Sequence, residues 1–322
     1  MRTLFAGPTV LARAARSAIV IALPALAACT PADYADGITG FSQAVTQANA
    51  TEQALIAADQ QVRLDQWIAA GVAAKANVAF VNWPKCQSPA GQHKAGDCAV
   101  TLNGTPAPVA TASSLSGLVK YATVLSAVVA DKTCASLQSD AQSLATTIGD
   151  IAKDTRDKSL AADASPLMTI ASAAGCFLIE TKQLEILRDA TKAANPIVQD
   201  LIKAISITDV ALQQDAINAT VIQLLTQAAP AYEMSKTAAS LKTVLALSQS
   251  LDQAQAAPIG PVLAKLGTLH QTLTDDLQSP TVSLKRVEND AQSFIASAQT
   301  VATAAKALAT PAPAPAPNTK AK

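Results

Sequence analysis

The sequence predicts an all-α fold: an elongated up-and-down helical bundle with one irregular, disulfide-pinned loop at about 82–112. Three observations predict it. Alanine is the commonest letter and only 12 of 322 residues are glycine, a balance that favours helix because alanine loses no side-chain entropy there. Apolar residues recur at spacings of three and four over long stretches. Prolines punctuate those stretches where helices are expected to start or stop.

Taken in order, the first helix is expected from Tyr34 to about Val81. Ile38, Phe41, Val45, Ala48, Leu55 and Val62 form its apolar stripe, and Pro84 ends it. Residues 82–112 are rich in proline and glycine. Within them "CAVTLNGT" holds at most a short strand and an Asn103-Gly104 turn. Helices resume with Ser113 or Ser114 as cap before "LSGLVKYATVLSAVVAD", and a turn near Asp131 leads into "CASLQSDAQSLATTIGDIAKD". Ser165-Pro166 opens the next helix, whose stripe is Leu167, Ile170, Ala174, Phe177, Leu184 and Leu187. Asn195-Pro196 marks a break and restart. Unbroken from Pro196 to Ala228, the following helix would be about 50 Å long. Pro230, Pro258 and Pro261 mark further boundaries. After Ser279-Pro280, residues Leu284, Val287, Ala291, Phe294, Ala298, Val301, Ala305 and Leu308 alternate spacings of three and four as a heptad seam. A core face within the bundle is preferred to an intermolecular coiled coil, and its small residues suit closely approaching helices.

Ahead of the bundle lies a different kind of segment. "MRTLFAGPTVLARAARSAIVIALPALAA" carries Arg2, Arg13 and Arg16, no acid, and an apolar run from about Ala18 to Leu26. A positive leader, a short apolar stretch and small final residues describe a signal peptide. The run is well short of the roughly 20 residues a spanning helix needs. Leu26-Ala27-Ala28-Cys29 resembles the lipobox of bacterial lipoproteins. The resemblance implies that Cys29 carries a diacylglyceryl thioether, becomes the first mature residue and is acylated on its amine. It covers the leader only. Thr30 stands where inner-membrane lipoproteins often carry Asp, so the family's sorting rule points to the outer membrane, inner leaflet, facing the periplasm. The expected organisation is 1–28 signal peptide, 29–33 lipidated linker, 34–309 helical bundle and 310–322 Pro/Ala-rich tail.

Charge restricts the partners. The precursor has 24 basic and 24 acidic residues, and loss of three leader arginines leaves 21 against 24, a net −3. A dispersed, weakly acidic surface lacks the basic stripe that nucleic acid requires. Aromatics at 3% leave little for stacking on bases or sugars. The tail "TPAPAPAPNTKAK" favours extended polyproline II, so 310–322 reaches roughly 40 Å and presents Lys320 and Lys322 to an anionic partner such as peptidoglycan, or to an envelope protein. Lys322 also resembles the wall-linked lysine of the murein lipoprotein, in that one residue alone.

Besides Cys29 there are Cys86, Cys98, Cys134 and Cys176. An even count in an exported chain suggests two disulfides with three possible pairings, and Cys86–Cys98 with Cys134–Cys176 is favoured. The rival is a zinc site built from Cys86, His93, Asp97 and Cys98, but the spacing matches no finger and an oxidising compartment would join the thiols. His270 is the other histidine. Gly267 and His270 resemble part of the Gly-x-His-x-x-Glu motif of imelysin-like bundles, but the spacing differs and the glutamate is absent, so nothing carries over and a solvent-facing histidine is expected. No nucleophile elbow, paired-histidine zinc motif or phosphate loop occurs. Asp275-Asp276 read as a solvated face, and Trp67 and Trp83 as packing anchors. No catalytic, metal or cofactor residue is expected beyond the covalent lipid. The sequence therefore favours a non-catalytic scaffold or interaction module of the cell envelope. A ligand-binding module using the 82–112 loop is the alternative, with a hydrolase or a pore-forming bundle behind it.

Overall fold

The computed structural model describes residues 32–86, 99–108, 113–131, 133–154, 179–206, 210–256 and 258–309. These form nine helices and one small sheet: α1 (Ala32–Ala73), β1 (Val78–Phe80), α2 (Trp83–Cys86), β2 (Val100–Leu102), β3 (Thr105–Pro106), α3 (Ser116–Ala130), α4 (Cys134–Asp154), α5 (Ile179–Ala204), α6 (Val210–Ser235), α7 (Ala238–Ala256), α8 (Ile259–Gln278) and α9 (Lys285–Ala309). The all-α bundle expected from the sequence is the fold. Leader and tail lie outside the described residues, as do Ser165-Pro166 and the stripe from Leu167 to Phe177.

α1 and α9 are the spine. The whole α1 stripe is buried, and every seam residue of α9 is at most 8% exposed. The seam is therefore an internal face, packed chiefly on α1. Small residues permit the close approach: a Cβ on Gly37 would lie 2.2 Å from Leu284 Cβ, and one on Gly40 would lie 3.3 Å from Ala291 Cβ. Further along, the Thr51 hydroxyl donates to the Ala298 carbonyl at 3.2 Å. These contacts advance together along both helices, so the first and last helices run parallel. α3 and α4 pack antiparallel, with Gly117 near the start of one against Ile151 near the end of the other, and so do α8 and α9, where Lys265 bonds Ser297 and Asp276 pairs with Arg286.

The expected helix from Tyr34 to Val81 stops early. Lys75 adopts a left-handed φ of 51°, while the Ala76 N–H donates to Gly71 O and the Lys75 N–H to Val72 O at 2.9 and 3.1 Å. That pair of bonds is a Schellman closure. Val78-Ala79-Phe80 beyond it becomes β1, which pairs antiparallel with β2. Asn103 and Gly104 turn β2 into β3 with φ of 50° and 85°, both positive as a two-residue hairpin turn requires. The 82–112 loop thus holds two strands where at most one was expected, and β1 replaces the end of the expected helix. Pro84 lies inside α2 and terminates nothing.

Two proline boundaries also move. Pro196 lies inside α5 and Pro230 inside α6. Proline removes one intrahelical bond, but Ile197, Val198, Leu201 and Ile202 continue the buried face begun by Ile186, Leu187, Ala190 and Ala194. Burial of that face offsets the lost bond. Of the 196–228 run, α5 ends at Ala204 and α6 begins at Val210, with residues 207–209 between them outside the described residues. Pro258, in contrast, is the N-cap of α8. α6 and α7 form a hairpin toward the far end of α1, and none of α7's described side chains is buried.

Candidate functional site

Of the sequence-derived site residues, Cys29, His93, Asp97, Cys98 and Cys176 lie outside the described residues. Cys86 ends α2, with its side chain also outside them. Cys134 begins α4 and is disulfide-bonded. Among the described residues no cluster of three or more His, Cys, Asp or Glu side chains forms a metal site. Asp275 and Asp276 diverge as expected, but only Asp275 is exposed. Asp276 is 7% exposed and forms an ion pair with Arg286 across the α8–α9 turn. Trp67 is half-buried, and its Nε1 is enclosed without a hydrogen-bond partner.

The principal correction concerns His270. Expected at the surface, it is completely buried where α1, α3, α5 and α8 meet. Phe41 of α1 and Tyr121 of α3, both fully buried, pack on its ring with centroids 5.4 and 5.7 Å away. The signal was present in the sequence: Ile259, Leu263, Leu266, His270, Leu273 and Leu277 follow spacings of three and four, and all are buried. His270 occupies a core position of that stripe.

Its two nitrogens belong to one directed chain of hydrogen bonds. The Asp275 carboxylate accepts from Gln271 Nε2 at 2.8 Å, so Gln271 Oε1 is left to accept from Asn195 Nδ2 at 2.6 Å. Asn195 Oδ1 then faces His270 Nδ1 at 3.0 Å and must accept its proton. That fixes the tautomer, and His270 Nε2 accepts from the Tyr121 hydroxyl at 3.0 Å. Gln199 Nε2 braces the same junction by donating to Gly267 O at 2.8 Å and to Asn195 Oδ1 at 3.3 Å. Glycine at 267 leaves the room: a Cβ there would lie 2.9 Å from Gln199 Oε1.

Burial holds the imidazole neutral, lowering its pKa from 6.5 to about 3, and raises the Tyr121 phenol above its ordinary value. Desolvation is the sole cause in each case. Both ring nitrogens are occupied by protein partners, so the Nε2 lone pair is taken up by the Tyr121 hydroxyl and does not face solvent as a base or metal ligand. Chemically, this arrangement joins three helices through satisfied polar bonds in an apolar core.

A second polar cluster sits at the start of α3. Glu52 of α1, 4% exposed, accepts from the Ser114 and Leu115 N–H groups at 2.9 and 3.1 Å and from the Ser113 and Ser114 hydroxyls. Ser113 does accept from Leu115 N–H at 3.2 Å, but the carboxylate of another helix is the main cap at this positive helix end. At the opposite end of α3, Gln183 Nε2 donates to the carbonyls of Val128 and Asp131 at 3.0 and 2.7 Å. Arg188 similarly caps α8 through the carbonyls of Leu277 and Ser279 at 2.6 and 2.9 Å. These polar groups therefore serve helix ends and helix junctions. A cavity of about 10 Å³ beside Leu55, Ile217, Val301 and Leu308 has barely the room one water needs. Among the described residues no helix is long and apolar enough to cross a membrane. No protein-family model matches the chain, and neither a curated protein nor a solved structure gives a match.

Proposed function

We propose that the protein is a lipid-anchored, non-catalytic helical scaffold or interaction module of the bacterial cell envelope. Cys29 carries the lipid in this reading, in the inner leaflet of the outer membrane, and the bundle faces the periplasm. The observation that carries it is the leader ending in Leu26-Ala27-Ala28-Cys29, only three residues before α1 begins at Ala32. Acyl chains on thioether and amine together hold a protein stably where one chain would not. The use of the buried histidine and glutamate as internal clasps supports a scaffold rather than a hydrolase. The Pro/Ala tail supplies the contact with peptidoglycan or with an envelope protein, through Lys320 and Lys322. Cys86–Cys98 and Cys134–Cys176 are the proposed disulfides.

Replacement tests the anchor directly. Cys29→Ser is expected to move the folded chain out of the membrane fraction or to leave its leader uncleaved. A Cys29→Ser protein that is processed and membrane-bound like the wild type would overturn the proposal.

A further inference from the structure

Building on the lipid-anchor reading, we infer that the bundle stands end-on from the bilayer, so that the C-terminal segment leaves it about 40 Å above the headgroups, toward the peptidoglycan. The anchor is tied to a rigid element. From Cys29 to Ala32 the chain spans at most about 10 Å, and Tyr34, Ile38 and Phe41 of α1 are already fixed in the core at 1% exposure or less. Gln183, Arg188, Leu277 and Leu284 share this end of the bundle through the Tyr34–Gln183, Arg188–Leu277 and Gly37–Leu284 contacts.

The parallel pairing of α1 and α9 then sets the height. Thr51, bonded to Ala298, lies 17 residues beyond Tyr34, about 25 Å along the helix axis. α9 continues 11 residues from Ala298 to Ala309, about 16 Å more in the same direction. An antiparallel pairing would have returned the C-terminus to the membrane.

The flanks give little reason to lie down. The exposed large apolar side chains, including Val72, Val78, Val81, Met234 and Leu245, belong to the end of α1, the segment around β1, and the α6–α7 hairpin. They lie in the half remote from Cys29. Near the proposed anchor, Lys182, Lys285 and Arg286 pair with Glu185, Glu288 and Asp276, so among the described residues these three cations are neutralised rather than gathered into a basic patch of the kind that binds anionic lipid.

The test uses full-length lipidated protein with one fluorescent amino acid at Thr39 or at Ala307, both exposed helical positions. It is reconstituted into phosphatidylethanolamine–phosphatidylglycerol vesicles bearing a headgroup quencher. Quenching several-fold stronger at Thr39 than at Ala307 is expected. Equal quenching at both, in protein that floats with the vesicles, would overturn the end-on stance while leaving the anchor intact. Wild-type protein that fails to float, or a Cys29→Ser variant that floats equally well, would instead overturn the anchor reading itself.

Discussion

His270 is where single-residue chemistry matters most to this fold. Its pKa is about 6.5 when unfolded and about 3 when buried. Between those values the unfolded chain binds a proton that the native chain does not, so stability rises with pH. The contribution is fully present above about pH 6.5 and is lost progressively as pH falls toward 3. Urea unfolding at a series of pH values is expected to show the midpoint falling across that window. His270→Gln keeps a donor and an acceptor but cannot titrate. It is expected to flatten the slope and to cost about 1–3 kcal/mol at neutral pH through poorer geometry. Equal slopes in the two proteins would contradict the assignment. The residue was legible as a stripe member, from its spacing between Leu266 and Leu273, but its partners were not. Tyr121 and Asn195 are 149 and 75 residues away, and pairing at such separations leaves no local pattern.

At the scale of elements, packing across α1 and α9 makes two glycines behave oppositely. A Cβ at Gly37 meets Leu284 at 2.2 Å, whereas one at Gly149 of α4 meets nothing within 4 Å. Gly37→Ala is expected to destabilise by about 1–3 kcal/mol, because α9 must shift to admit the methyl. Gly149→Ala is expected to stabilise by about 0.5–1 kcal/mol, because alanine loses less backbone freedom on folding. Thermal melts should move in opposite directions; a stabilising Gly37→Ala would contradict the close packing. The α1 stripe and the α9 seam were readable because each is long and strictly periodic. Less readable were the places where tertiary contacts overrule local rules. Pro196 looks like a stop, yet lies within α5, whose buried face continues past it; Pro230 lies within α6 as well, at an exposed position. The end of α1 went the other way: Lys75 carries no turn signature, and its left-handed conformation makes sense only with the Schellman bonds behind it.

At the scale of the whole molecule, α1 is a helix of 42 residues, about 60 Å long, that separates the end proposed to be anchored from the remote one. Composition and periodicity made the all-α class readable. The parallel relation of α1 to α9 was not readable, since heptad spacing says which face is buried but not against which partner or in which direction. Deleting residues 310–322 is expected to leave helicity and melting unchanged while lowering co-sedimentation with purified peptidoglycan; undiminished co-sedimentation would place the contact elsewhere. The central claim is that this scaffold begins at an acylated Cys29. Intact-mass measurement on protein extracted from membranes tests it most directly. The account predicts a chain starting at Cys29 whose mass exceeds that of residues 29–322 by a diacylglyceryl group and an N-acyl chain. An unmodified Cys29, or a mature chain beginning elsewhere, would contradict it.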